Sequence, residues 1–265
     1  MADHQHSSPL ADPILSSNER LDTVNGNIRL IQNVNGLTFG TDAFLLAAFV
    51  RPAPYSHGVD LGSGTGILPL LLLANQKLAS ATAVEIQPLF ADLTARNASL
   101  NGFEGKLRSL CKDAREVTSE DVGGEVALVV SNPPYMKCDT GKRNQHDEKY
   151  IARHEVCGDI GDFCASAARL LKYGGRFCCV WRPDRLADLF SALRSVSLEP
   201  KRMVLVHADE ASEPSAVLVE AVKGGASSMR ILPPLFLYLP KQEGERSRTL
   251  TPRARKIYDC CSFSD

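Results

Sequence analysis

The segment Asp60-Leu61-Gly62-Ser63-Gly64-Thr65-Gly66 carries the strongest chemical signal in this chain. Closely spaced glycines let a backbone pass near a ligand with no Cβ in the way. Val59-Asp60-Leu61 reads as a short strand and the run from Ile67 as a helix, the context that a nucleotide-binding turn needs. The spacing is GxGxG, and Ile67 stands where the dinucleotide fingerprint GxGxxG needs its last glycine. Asp60, two residues before the first glycine, would repel a pyrophosphate but attract an amino group such as that of a methionine moiety. The alternative is a glycine-rich turn with no ligand.

Three more positions follow in order. Glu85 ends the next strand, 25 residues after Asp60, where a carboxylate can accept both hydroxyls of an adenosine ribose; it could equally be a solvated strand end. Asp113 follows the third strand, where its carboxylate or the neighbouring backbone could meet an adenine amino group, although Asp is also common at strand ends. Asn132-Pro133-Pro134-Tyr135 comes directly after Val129-Val130-Ser131. Two prolines stiffen that loop and remove two N–H groups. The Asn132 amide oxygen and a Pro carbonyl then make a paired acceptor, and Tyr135 offers a flat face to a planar group. A Pro-rich turn capping a strand is the plain alternative.

The elements that must hold these residues alternate. Arg20–Val24 and Ile28–Gln32 flank Asn25-Gly26-Asn27, a hairpin signal. Thr41 is expected to cap an apolar helix from Asp42 to Val50, which Arg51-Pro52-Ala53-Pro54 stops. Strands are expected at 59–61, 81–86, 107–111, 126–131 and 176–181. Helices are expected at 67–78, 88–100 with Pro88 at N1, 162–171 ended by Gly174-Gly175, and 185–196. Lys201–His207 and Ala216–Val222 lack a helix between them and read as a hairpin, so one strand must run antiparallel. The pattern is that of an α/β, doubly wound, mostly parallel sheet. Residues 1–17 are expected to be disordered, and the polar tail from Lys241 loosely held.

Composition narrows the class. The chain has 265 residues, 44% hydrophobic and 23% charged, which is ordinary globular usage. Thirty basic and 31 acidic side chains give a net charge of −1, which supplies no overall pull toward nucleic acid or anionic membrane. Basic residues nevertheless gather in 142–153 and 246–256. Eight cysteines show no CxxC spacing, so no zinc pattern and no metal are expected. Cys178-Cys179 fits a buried strand, and free thiols suit a reducing compartment. The N-terminal residues lack a signal-peptide pattern, and the longest dense apolar run, Ile67–Ala74, is far too short to span a bilayer. A cytoplasmic protein with no membrane partner is expected.

DLGSGTG, Glu85, Asp113 and NPPY, in this order and spacing, resemble the NPPY branch of the class I S-adenosylmethionine-dependent methyltransferases. The resemblance covers about residues 20 to 225. Leu37–Leu46, Ile151–Glu155 and Val217–Lys223 further resemble the bacterial valine-tRNA (adenine-37-N6)-methyltransferase family. It implies a Rossmann-like, seven-stranded, mostly parallel sheet with an antiparallel last strand, plus a small N-terminal hairpin and helix extension. The implied divisions are 1–17 disordered, 18–52 extension, 53–225 methyltransferase domain and 226–265 C-terminal extension.

The implied cofactor is S-adenosylmethionine, held by Phe39, Gly40, Thr41, Asp42, Asp60, Gly62, Ser63, Gly64, Gly66, Glu85, Ile86, Asp113, Ala114 and Asn132. The implied chemistry is methyl transfer to the exocyclic N6 amine of an adenine in tRNA, beside the anticodon, with Asn132, Pro133, Pro134 and Tyr135 as the catalytic loop. Asn132 Oδ1 and the Pro133 carbonyl would accept the amine hydrogens and stabilise the charge that develops on nitrogen, and Tyr135 would stack on the base. Lys142, Arg143, Arg153 and His154 are the expected phosphate contacts, although they also suit a solvated loop. Oligomeric state stays open, with a monomer expected. Competing readings are a protein glutamine N5-methyltransferase acting on release factors, a DNA adenine methyltransferase, and a non-catalytic RNA-binding module.

Overall fold

The computed structural model describes residues 13–25, 28–34, 40–133, 159–240 and 247–263. Their centre is a nine-stranded sheet. In chain order its main strands are β3 (Ala53–Leu61), β4 (Leu78–Glu85), β5 (Leu107–Cys111), β6 (Val126–Ser131), β7 (Leu171–Trp181), β8 (Leu198–His207) and β9 (Pro214–Lys223). Across the sheet they run β5-β4-β3-β6-β7-β9-β8. β9 alone of these seven runs antiparallel to its neighbours, as the helix-free connection from β8 requires. Two short strands, β10 (Arg230–Ile231) and β11 (Leu235–Phe236), extend the β8 edge in parallel. These additions make nine where seven were expected. A separate antiparallel hairpin joins β1 (Glu19–Val24) to β2 (Ile28–Asn33).

Strands buried on both faces need apolar residues at nearly every position, and the middle of the sheet has them. Leu128, Val130, Cys178, Val180 and Leu218 face one layer. Val129, Phe177, Cys179, Trp181, Val217 and Val219 face the other. The adjacent cysteines therefore point to opposite sides, as small apolar residues, and burial pushes the Cys178 thiol up to about 12. The first layer contains α1 (Thr41–Phe49), α2 (Ile67–Ala74) and a helix at the chain's end, α6 (Pro252–Cys260). The second contains α4 (Ile160–Leu170) and α5 (Leu186–Ser195). α3 (Pro88–Leu100) lies against β5 and β4 and carries the hairpin, with Leu93 and Leu100 packed on Ile31.

Several sequence expectations are corrected. The strand at 59–61 begins six residues earlier, at Ala53, with an irregular register before His57. Thr41 is the first helical residue, and Gly40 is the N-cap, without a side-chain bond. The helix expected to reach Leu78 stops at Ala74, because Gln76 adopts φ +53° and Lys77 turns back to α1. There the Lys77 ammonium donates to the carbonyls of Ala47, Ala48 and Val50 at 2.6–2.9 Å. Asp162 is not the start of its helix but the fourth residue of a capping box. Asp159 accepts from the Asp162 N–H, and Asp162 accepts from the Asp159 N–H, both at 3.0 Å. Leu171 already belongs to β7, and the Gly174-Gly175 pair lies within that strand's irregular start.

The tail differs most from expectation. Thr251 caps α6 by accepting from the Ala254 N–H at 3.1 Å. Ala254, Ile257 and Cys261 are buried, and Tyr258 and Phe263 pack on Phe44 and Phe49 of α1. A mostly polar sequence hides this because only every third or fourth residue meets the core. Its basic residues are partly spoken for: Arg248 pairs with Asp209, and Arg253 lies over Phe263. Among the described residues, no helix is long and apolar enough to cross a membrane.

Candidate functional site

β3 pairs with β4 on one side and β6 on the other, so connections leave its carboxyl end in opposite directions. In open α/β sheets ligands bind in the crevice at such a switch point. The register pairs Leu61 with Ser131, so the loops opening with Gly62 and with Asn132 leave the sheet side by side. The buried Ser131 hydroxyl donates to the Leu61 carbonyl at 2.7 Å and fixes that spacing.

The glycine loop is tightly built. Gly62, Gly64 and Gly66 all have positive φ, and the N–H groups of Gly62 and Ser63 donate to the Val84 carbonyl. At Gly66 (φ +81°) a Cβ would come within 2.8 Å of Thr94 Cγ2. At Gly64 (φ +55°) a Cβ would meet nothing within 4 Å among the described residues, so on their side this glycine faces open space. α3 holds the loop from behind, with Thr94 Oγ1 donating to the Gly64 carbonyl and Asn97 Nδ2 to the Thr65 carbonyl, each at 2.9 Å.

Two carboxyls face this loop. Asp60 is 2% exposed, and neither of its oxygens has a hydrogen-bond partner among the described residues. Burial, and then the charge of Glu85, pushes its pKa well above the ordinary range. A buried acid without a donor is costly, and a cationic group placed beside it would remove the cost. Glu85 Oε2 accepts from the Gly64 N–H and Oε1 from the Gln87 N–H, each at 2.9 Å. Burial raises its pKa while these backbone donors oppose the shift. A carboxylate has about four acceptor sites, so these donors leave acceptor capacity for ligand hydroxyls. The Ser63 hydroxyl is likewise buried without a partner among the described residues. An unpartnered acid, an acceptor carboxylate and a glycine cradle with open space fit the ammonium, ribose and chain of S-adenosylmethionine.

Ile86 is half-buried just past β4, next to Glu85. Asp113 follows β5, but Arg115 occupies its carboxylate, with Nη2 to Oδ2 at 2.5 Å and the Arg115 N–H to Oδ1 at 2.8 Å. Arg115 accordingly holds the Asp113 carboxyl below its usual value. The Ala114 carbonyl accepts from Ser166 Oγ at 2.7 Å, fastening that loop to α4. Gly40, Thr41 and Asp42 stand at the start of α1, with Gly40 and Thr41 exposed. Asn132 is half-buried and Pro133 buried at the end of β6. Phe39, Pro134, Tyr135, Lys142, Arg143, Arg153 and His154 lie outside the described residues.

Sequence reasoning missed Thr94, Asn97, Asn101 and Ser131. A signal existed: Thr94, Asn97 and Asn101 recur at i, i+3 and i+7 along α3 and its C-cap, on the face where helical periodicity calls for apolar residues.

Residues 34–202 match the family model described as methyltransferase small domain. The curated relatives include a tRNA1(Val) (adenine(37)-N6)-methyltransferase from Porphyromonas gingivalis, 29% identical over 187 residues, spanning 68% of this chain and 72% of the relative. An enzyme of the same name from Bacteroides fragilis is 28% identical over 223 residues, spanning 83% of this chain and 84% of the relative. Among solved structures, a predicted O-methyltransferase from Agrobacterium tumefaciens superposes with a TM-score of 0.65 at 21% identity, over 83% of this chain and 97% of that one. A T. thermophilus 16S rRNA N2 G1207 methyltransferase, in complex with AdoMet and guanosine, gives a TM-score of 0.53 at 19% identity, over 80% of this chain and 52% of that one. At these identities the solved structures speak to the fold.

Proposed function

The chain belongs to the methyltransferase small domain family, and from that premise we propose that it methylates the exocyclic N6 amine of an adenine in tRNA, beside the anticodon. S-adenosylmethionine, when bound, supplies a methyl group activated on a sulfonium. The observation that carries the reading is the buried, unpartnered Asp60 carboxyl, one strand from the loop that Asn132 opens. The names of the curated relatives supply the choice of base and of RNA.

Each residue then has a task. Asp60, with its proton released to solvent, would hold the ammonium group of the cofactor. The glycine loop and Glu85 hold the chain and the ribose, and the start of α1 borders the other side. Asn132 Oδ1 and the Pro133 carbonyl accept the two amine hydrogens. That pulls the nitrogen lone pair out of conjugation and stabilises the positive charge that grows there. Orientation supplies much of the remaining rate. Tyr135 stacks on the base, and Lys142, Arg143, Arg153 and His154 contact phosphates. An anticodon-loop adenine is already outside a duplex, so presenting it costs little. Action on tRNA fits a cytoplasmic location, and the oligomeric state stays open, with a monomer expected.

Incubation with radiolabelled S-adenosylmethionine and either total tRNA or a release factor tests the proposal. Label on N6 of a tRNA adenine is expected. Label on release factor but not on tRNA would replace it with glutamine N5-methylation.

A further inference from the structure

α3 and its C-cap turn two asparagines inward, and they bind the hairpin in the same way. Asn101 Oδ1 accepts from the Arg29 N–H at 2.8 Å, and its Nδ2 donates to the Arg29 carbonyl at 2.7 Å. Asn97 Oδ1 accepts from the Ile31 N–H at 2.7 Å, and its Nδ2 donates to the Ile31 carbonyl at 3.1 Å. The pair replaces a missing strand: two side-chain amides satisfy alternate backbone groups of β2. A hairpin lying on a helix has no other donor and acceptor row on that side, and buried peptide groups must be paired.

Holding the hairpin accounts for everything Asn101 does to β2. It does not account for Asn97. Asn97 is completely buried, and its second amide hydrogen reaches the Thr65 carbonyl inside the glycine loop at 2.9 Å. One amide group thus touches both the loop and β2. On the far side of β2, Ile28 and Leu30 share a core with α1 and α2.

We propose that Asn97 is a positioning residue that couples the glycine loop to the N-terminal hairpin, so that S-adenosylmethionine seated on the loop is felt at Ile31. The proposal rests on the loop being the cofactor cradle. Only a short, planar amide can do this. An Ala leaves the Thr65 carbonyl and both Ile31 groups unpaired, and an Asp keeps the acceptor for the Ile31 N–H but has no hydrogen for Thr65.

The test compares the full-length protein with its Asn97→Ala, Asn97→Asp, Asn101→Ala and Asp60→Asn variants. The readouts are S-adenosylmethionine affinity by calorimetry and backbone hydrogen exchange across β2 with and without the cofactor. In the unaltered protein the cofactor should slow exchange in β2. Asn101→Ala should retain that slowing and bind with near-normal affinity, although its hairpin is looser. Asn97→Ala and Asn97→Asp should bind about tenfold more weakly, as expected for one lost buried hydrogen bond, and show no cofactor-induced slowing. Should Asn97→Ala fail to fold, Asn97→Asp carries the same comparison. Equal behaviour of the Asn97 and Asn101 variants in both readouts would overturn the coupling and leave Asn97 a staple. Unchanged binding by Asp60→Asn would instead overturn the reading of the cradle itself.

Discussion

Asp60 and Glu85 end neighbouring parallel strands as two buried acids, and burial first, then the Glu85 charge, drives the Asp60 carboxyl far up. An acid raised in this way binds a proton in the native state that the unfolded chain has already lost. Without the cofactor, stability therefore falls as pH rises from about 3.9, the unfolded value, up through the raised native one. Glu85, also raised, adds a slope of the same sign.

Asp60→Asn should flatten that slope and raise the Tm of the cofactor-free protein at neutral pH by a few degrees. The same change should weaken S-adenosylmethionine binding by roughly ten- to a hundredfold, the scale of one charged hydrogen bond. In the unaltered protein, affinity should climb with pH as Asp60 ionises, until the α-amino group itself deprotonates near 7.7–8.0. Scanning calorimetry and titration calorimetry over that range check both signs. A variant that is less stable and binds normally would contradict the assignment.

Asn132→Ala should lower kcat by on the order of a hundred- to a thousandfold, the usual effect of deleting one group aimed at developing charge. Cofactor affinity should hold to within about twofold, because the lost interaction strengthens only in the transition state. Steady-state kinetics on tRNA, set beside calorimetry, separate the two. A raised KM for the cofactor at unchanged kcat would make Asn132 a binding residue only.

Two glycines of one loop should fail differently. Gly66→Ala combines a left-handed backbone with a Cβ set 2.8 Å from Thr94 Cγ2, and should cost on the order of 3 kcal/mol in urea unfolding. Gly64→Ala meets no neighbour among the described residues. It should cost only about 1 kcal/mol, while its methyl group intrudes on the cofactor space and lowers affinity.

Lys77→Met retains the apolar stem but strips two α1 carbonyls and that of its C-cap, Val50, of their donor. A loss on the order of 3 kcal/mol is expected. Lys77 meets α1 at its end, whereas the proposed border of the cofactor site is its first turn, so cofactor affinity should not change. Denaturant melts and calorimetry on the same preparation read both.

Much of this molecule was legible locally. Strands β5 and β6 have the expected bounds, as does α3, where Pro88 starts the helix and Gly102 follows its end. The lack of a helix between Lys201 and Val222 already implied the antiparallel β9. Glycines, prolines and alternating apolar runs act within a few residues, so they can be read without knowing the fold. The same holds for the residue types at the carboxyl ends of β3, β4 and β6, which place Asp60, Glu85 and Asn132 at one crevice.

What the chain alone could not disclose depends on partners far away in sequence. Whether Arg115 would engage Asp113 is a rotamer choice that spacing leaves open. The docking of α6 depends on Phe44 and Phe49, some 200 residues earlier in the chain. Asn97 stands out in the sequence as a polar residue on an apolar helix face, but what it holds shows only in its bonds to Thr65 and Ile31, 32 and 66 positions away. Sequence by itself determined which groups could bind and react. Tertiary structure decided which of them are buried, and burial gives each its energy: a hydrogen bond worth little in water becomes a constraint when its partners cannot be solvated.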